Sequence, residues 1–133
     1  MISTIDNDTL APVLNTLLDN HTLGTGRELF TQSKIALALS IDGEIKGGIN
    51  GTLTGQNFHI ALLAVSPEHR GKGYGHQLLE AIEHQARSLG ATIFTLTTLD
   101  YQALAFYQAH GYTVFGRLSD CPEVGMTKYY LTK

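Results

Sequence analysis

Residues 62–75 join an apolar run to a loop that is rich in glycine and basic side chains. The segment reads Leu-Leu-Ala-Val-Ser-Pro-Glu-His-Arg-Gly-Lys-Gly-Tyr-Gly, and an amphipathic pattern follows it. Glycine allows positive φ and leaves no side chain between backbone N–H groups and a bound anion. A strand that leads through such a loop into a helix N-terminus commonly binds phosphate. The segment therefore predicts a site for a phosphorylated cofactor.

Two other nucleotide-binding motifs fit this spacing less well. A dinucleotide-binding turn needs Gly-x-Gly-x-x-Gly close to the strand end, whereas Gly71, Gly73 and Gly75 alternate and begin several residues after Val65. A P-loop would continue from Gly-Lys into Ser or Thr, and this loop does not. A tight strand-to-helix turn without any ligand is the alternative that the residues leave open.

The elements that would position this loop follow from hydrophobic spacing. Apolar residues from Leu10 to Leu18 predict a first helix capped by Asp8 or Thr9, and a short second helix is expected around residues 27–32. An Asp-Gly pair at 42–43 predicts a hairpin. Strands are expected at 35–41, 45–53, 58–65, 91–99, 112–118 and 127–132. A helix is expected from the glycine loop to Gly90. Another helix is expected at 101–110, with Asp100 as its cap.

Composition limits the class of protein. The 133 residues are 43% hydrophobic and 16% charged, as expected for a single domain over residues 1–133. A net charge of -3 with scattered Lys and Arg argues against nucleic acid as a partner. We see no secretory or membrane-spanning segment, and the single cysteine, Cys121, gives neither a disulfide nor a zinc-site spacing. No metal and no membrane partner are expected, and the expected location is cytoplasmic.

Two motifs in this order resemble those of the GCN5-related N-acetyltransferase (GNAT) family. The first is Arg70, Gly73 and Gly75 after Val65-Ser66-Pro67, and the second is the segment Ala-Leu-Ala-Phe-Tyr-Gln-Ala-His-Gly-Tyr at 103–112. The resemblance covers residues 35–133. It implies a mixed α/β fold, in which a central, mostly antiparallel sheet opens as a V between two parallel strands and carries helices on both faces.

The resemblance also implies acetyl-CoA as co-substrate and assigns residues to it. The pantetheine arm would pair with the strand backbone at Leu63, Ala64 and Val65. The pyrophosphate would meet the loop residues Arg70, Gly71, Lys72, Gly73, Tyr74, Gly75 and His76. Lys72 would add charge, Arg70 would either fix the loop or meet a phosphate, and a solvent-facing role is the alternative for His76.

The same resemblance nominates the catalytic groups. Tyr107 matches the tyrosine that serves as general acid near the cofactor sulfur in this family, and a buried core tyrosine is its alternative reading. His59 falls where relatives often place a base-bearing carboxylate, so either His59 or ordered water would take the amine proton. A hydrogen-bonded histidine at a strand edge, without a catalytic role, is the alternative for His59.

The expected activity is transfer of the acetyl group from acetyl-CoA to a primary amine of a small-molecule or peptide acceptor by direct attack. The alternatives are a catalytically silent acyl-CoA-binding sensor and an interaction module. A homodimer is compatible with the family.

Overall fold

The computed structural model describes all 133 residues, which divide into two compact units, residues 1–31 and 32–133. The first unit contains the helix α1 (Asn7–Gly24). Asp6 is its N-cap residue and makes no side-chain capping bond. The predicted caps Asp8 and Thr9 are therefore wrong, because both residues lie inside the helix.

The second helix predicted around residues 27–32 is also wrong. Residues 27–31 form no regular element, and Gln32 already begins the first strand, where it pairs with Thr54. The backbone ladder of the sheet thus determines the conformation at this point.

A six-stranded mixed sheet forms the second unit, in the order β1-β2-β3-β4-β6-β5. Only β3 and β4 are parallel, and all other neighbours are antiparallel. This confirms the expected fold class. The strands are β1 (Gln32–Ile41), β2 (Glu44–Thr54), β3 (Asn57–Val65), β4 (Ile93–Leu99), β5 (Thr113–Ser119) and β6 (Thr127–Thr132).

The hairpin between β1 and β2 turns at the predicted Asp-Gly pair. Asp42 has φ 52° and Gly43 has φ 79°, as a two-residue turn with positive φ at both positions requires. The turn, together with a register shift between Leu39 and Ser40, places Ala38 opposite Gly48 and Lys34 opposite Thr52.

The core lies between one face of the sheet and the helix α2 (Tyr74–Ser88). Buried side chains of α2 recur at the predicted helical spacing, at Leu78, Leu79, Ile82 and Ala86. They belong to one hydrophobic cluster with Phe58 of β3, Phe94 and Leu96 of β4, and Tyr107 of the helix α3 (Leu104–Ala109). None of the three α-helices combines the length and hydropathy that spanning a membrane requires.

The helix α3 begins later than the sequence indicates. Ala103 is its N-cap, so the predicted capping role of Asp100 is wrong. Instead, the side chain of Gln102 turns back and accepts a hydrogen bond from the backbone N–H of Leu99 at 3.0 Å. The hydroxyl of Thr98 accepts one from the N–H of Ala103 at 3.4 Å. The chain therefore makes a turn before the helix starts.

Candidate active site

The parallel strands β3 and β4 pair over a very short stretch. Only three register pairs join them, from Asn57 opposite Ile93 to His59 opposite Thr95. Beyond His59 the strands separate, and the backbone groups that β3 turns toward β4 have no ladder partner. The structure thus contains the V-shaped opening that the sequence analysis expected.

A β-bulge in β3 accompanies this separation. Asn50 pairs with Leu62 while Gly51 pairs with Ile60, so Ala61 is the extra residue on β3. The side-chain Oδ1 of Asn50 accepts a hydrogen bond from the N–H of Leu62 at 3.1 Å. Because a bulge increases local twist, it helps to turn the end of β3 away from β4.

The glycine loop connects β3 to the N-terminus of α2. Gly71 has φ 73° and Gly73, the N-cap of α2, has φ 82°, a conformation that side chains other than glycine rarely adopt. The first N–H of α2 with a helical acceptor is that of Gln77, which bonds to the carbonyl of Gly73 at 3.1 Å. The preceding N–H groups at the start of α2 are therefore available to an anion.

Side-chain bonds hold the loop against the end of β3. Nε of Arg70 donates to the carbonyl of Val65 at 2.9 Å. The Ser66 hydroxyl and Nδ1 of His69 are 2.8 Å apart, and the N–H of Ser66 donates to the carbonyl of Lys46 at 2.7 Å. The bond to Val65 ties Arg70 to the end of β3, and Arg70 also lines the cavity described below, so both roles left open for it stay predictions.

A cavity of about 760 Å³ lies at the opening between the strands and the loop. Nine of the predicted cofactor residues line it, namely Leu63, Ala64, Val65, Arg70, Gly71, Gly73, Tyr74, Gly75 and His76. Lys72 is exposed and is not among the lining residues. The structure therefore brings all of the predicted cofactor residues except Lys72 around one cavity.

Five further residues line this cavity and were missed by the sequence analysis: His69, Tyr101, Gln102, Ala103 and Phe106. Ala103 and Phe106 lie inside the second motif, which could have identified them. Tyr101 and Gln102 carry no local signal, because the turn that precedes α3 brings them to the opening.

His76 lines the cavity from the first turn of α2, and its side chain is about half exposed. Its Nδ1 contacts Nε2 of His110, and its Nε2 lies 3.2 Å from a carboxylate oxygen of Glu80. Nδ1 of His110 donates to the carbonyl of Phe106 at 2.7 Å. His76 therefore links α2 to α3 at the rim of the cavity.

Tyr107 lies in α3 and is buried in the core; it is not among the residues that line the cavity, although its neighbour Phe106 is. Only 8% of the residue is exposed, and its ring makes edge-to-face contacts with Phe106 and Tyr112. Burial raises the pKa of the Tyr107 phenol above its ordinary value. The phenol therefore stays protonated at neutral pH, as a proton donor must.

His59 lies at the closed end of the opening, away from the cavity. Its Nδ1 is 3.0 Å from the hydroxyl of Thr95, which itself donates to Oδ1 of Asn57 at 3.2 Å. Nδ1 of His59 must therefore carry the proton in this bond, and Nε2 is free to accept. Neither of the two predicted catalytic residues, His59 and Tyr107, is among the residues that line the cavity.

Comparison with known proteins identifies the family of this chain. The profile of the "Acetyltransferase (GNAT) family" matches residues 10–112. The chain is 37% identical over 92 residues to a blasticidin-S acetyltransferase of Streptomyces morookaense, which covers 68% of this chain and 67% of that protein.

Solved structures agree with the computed fold. An acetyltransferase from Bacillus cereus ATCC 14579 superposes with a TM-score of 0.89 at 28% identity, over 100% of this chain and 96% of that one. An aminoglycoside 6'-N-acetyltransferase complexed with coenzyme A has a TM-score of 0.67 at 19% identity, over 75% and 72% of the two chains. The second likeness is one of fold.

Proposed function

Because the chain belongs to the acetyltransferase (GNAT) family, we propose that it transfers the acetyl group of acetyl-CoA to a primary amine by direct attack. Family membership confirms the expected acyltransferase class and the expected acetyl donor, acetyl-CoA. The proposed acceptor is a small molecule or a peptide, and residues 1–133 would act as one N-acetyltransferase domain. The observation that carries the proposal is the cavity of about 760 Å³ shared by the splayed strand and the glycine loop.

The residues present fit the diphosphate of coenzyme A. The open N–H groups at the start of α2 and the positive end of the helix dipole favour a bound anion. Gly71 and Gly73 would leave room for it, since an added Cβ at either position would meet no atom within 4 Å. From Leu63 to Val65, β3 pairs with β2 but has no ladder partner on the side that faces β4, and this open side would hold an extended arm in the manner of an added strand.

Acetyl-CoA supplies an activated thioester, and the chain supplies position and proton transfer. A backbone N–H near Leu63 would face the thioester oxygen, where negative charge develops during attack. Tyr107 would donate its proton to the departing thiolate, since burial keeps this phenol protonated.

For the amine proton, we propose ordered water as the immediate acceptor. Ala64 lines the cavity, and His59 precedes it by five residues on the same strand, which corresponds to about 13–17 Å. His59 could therefore take the proton only at the end of a water chain, through its free Nε2.

The test is a panel of primary amines assayed for release of free thiol from acetyl-CoA. We expect thiol release that depends on both the protein and the amine, together with the mass of the acetylated acceptor. Stoichiometric binding of acetyl-CoA without thiol release on any amine would contradict the proposed transfer.

A further inference from the structure

The face of the sheet opposite the core carries a trough that meets the cofactor cavity. Two cavities of about 340 and 300 Å³ lie along β1, β2 and β3 and share the lining residues Ala36 and Asn50. We call these two cavities the sheet trough. The larger one shares Ala64 with the cavity of the candidate active site. The trough therefore runs from Ala64 across the sheet toward Lys34.

Small side chains form the part of the trough nearest the active site. Ala38, Gly48 and Ala64 lie side by side on the three strands, and both alanines are exposed. Leu62, which also lines this part, is 68% exposed. The larger cavity has no charged lining residue, so it suits a part of the ligand that is uncharged and has small side chains.

The middle of the trough offers one polar side chain. Oδ1 of Asn50 already accepts the N–H of Leu62, so its side-chain NH₂ group is available as a donor. Asn50 lines both cavities. Its NH₂ group suits a carbonyl oxygen of the occupant.

The far end of the trough carries a positive charge. Lys34 is the single charged residue that lines the sheet trough, and it forms no ion pair in the structure. Thr52, its register partner on β2, adds a hydroxyl. Lys34 and Ala38 are four residues apart on β1, which is about 13 Å. Ala64, where the attacking amine would lie, is two strands away from Ala38. The Lys34 backbone is therefore about 16 Å from Ala64, and the Lys34 side chain would extend toward the carboxylate of a tripeptide that spans about 10 Å.

Building on the proposed acetyl transfer, we propose that the sheet trough binds the acceptor, and that this acceptor is a short extended peptide with small side chains and a free carboxylate. Its N-terminal amine would lie at Ala64, a peptide carbonyl at Asn50 and the carboxylate at Lys34. Lys34 is the single charged lining residue of the trough, so its positive charge disfavours a polycationic amine there.

The test compares trialanine with trialanine amide, two peptides that differ only in the terminal charge. Thiol release from acetyl-CoA by the full chain should give a kcat/KM about threefold to fivefold higher for trialanine, the range expected of one exposed ion pair. Lys34→Gln should bring the ratio of the two values close to one. Arg117→Gln, which removes an exposed charge from β5 at the opposite edge of the sheet, should leave the ratio as it is.

Equal kcat/KM values in the unmodified protein, or a ratio that survives Lys34→Gln, would overturn the trough assignment while acetyl transfer stands. A second readout is independent of turnover: trialanine added to ¹⁵N-labelled protein saturated with coenzyme A should shift the side-chain NH₂ resonances of Asn50. Absence of that shift, with thiol release on other amines, would refute the peptide site alone. A shift without thiol release on any amine would support the peptide site and refute the proposed activity.

Discussion

The guanidinium of Arg70 donates through Nε to the carbonyl of Val65 at 2.9 Å, which ties the first residue of the glycine motif back to the last residue of β3. The two residues are five positions apart, and the loop between them includes the turn Pro67–His69. This bond fixes the point where the strand stops and the glycine loop begins.

Replacing Arg70 by Gln should therefore weaken cofactor binding. Loss of one exposed bond to a charged donor is worth about 1.5 kcal/mol, so we expect the KM for acetyl-CoA to rise about tenfold. Lys72→Gln is the matched control, because Lys72 does not line the cavity. If both substitutions raised the KM for acetyl-CoA equally in steady-state assays, the positive charge, and not the bond to Val65, would determine cofactor binding.

Tyr107→Phe should lower kcat by about a hundredfold, the usual scale of general acid catalysis, with acetyl-CoA affinity nearly kept. The ring of the phenylalanine would keep the contacts with Phe106 and Tyr112. Because burial raises the Tyr107 pKa, the loss of kcat that reflects its ionisation should appear only above about pH 10. Single-turnover rates and calorimetric affinities would separate the two effects. An unchanged kcat would reject the proton-donor role.

The glycines of the loop should differ in their response to alanine. Gly73→Ala forces a side chain into φ 82°, at a cost of about 1–2 kcal/mol, and should raise the KM for acetyl-CoA by distorting the start of α2. At Gly75 the backbone is helical, and the new methyl would meet the Phe106 ring at an ordinary 3.5 Å. Gly75→Ala should therefore keep the melting temperature, and thermal unfolding of the two variants with and without coenzyme A would check this contrast.

A buried cluster that includes Glu83 of α2 should make the free energy of unfolding depend on pH in the alkaline range. The Tyr112 hydroxyl donates to Glu83 at 2.7 Å, and Lys133 donates to the same carboxylate at 2.9 Å. Tyr112→Phe should lower the free energy of unfolding by about 1.5–3 kcal/mol, since the bond is to a charged group.

Burial, followed by the bond to Glu83 and its charge, raises the Tyr112 pKa well above the ordinary 10.0. A pKa that is higher in the folded than in the unfolded state gives stability that is complete below about pH 10 and is lost as the pH rises further. In the Tyr112→Phe variant, the part of this alkaline loss of stability that comes from Tyr112 should be absent. The part that comes from the buried Tyr107 should remain. Urea unfolding on both sides of pH 10 measures the difference, and parallel pH profiles for the two proteins would contradict the assignment.

Most of the fold could be predicted because local signals and tertiary packing agree. The Asp42-Gly43 turn, the buried stripe of α2 and its end at Gly90, with φ 105°, each follow from residues that act over one or two turns of chain. One error, at Gln32, lies where a distant partner decides, and another, at Asp100, lies where a local turn replaces the expected cap. Gln32 is extended because Thr54 pairs with it, and Asp100 is not a cap because Gln102 bonds to Leu99 instead.

The strand–loop–helix unit around the glycines was predictable for the same reason, since its parts are contiguous in the sequence. The trough was not, because Lys34, Asn50 and Ala64 come from three strands and meet only through their register. An added Cβ at Gly48 would lie 2.7 Å from the Leu37 carbonyl, so this part of the trough requires glycine.

Only three rungs, from Asn57 to His59 on one side and Ile93 to Thr95 on the other, connect β3 to β4. The sheet is thus two halves that share a short hinge. A molecule bound in the opening between β3 and β4 would contact both parts of the sheet. Its binding should therefore slow amide hydrogen exchange in both strands. Release of coenzyme A would break the contacts with both parts of the sheet, and we therefore expect product release to be the slowest step of turnover.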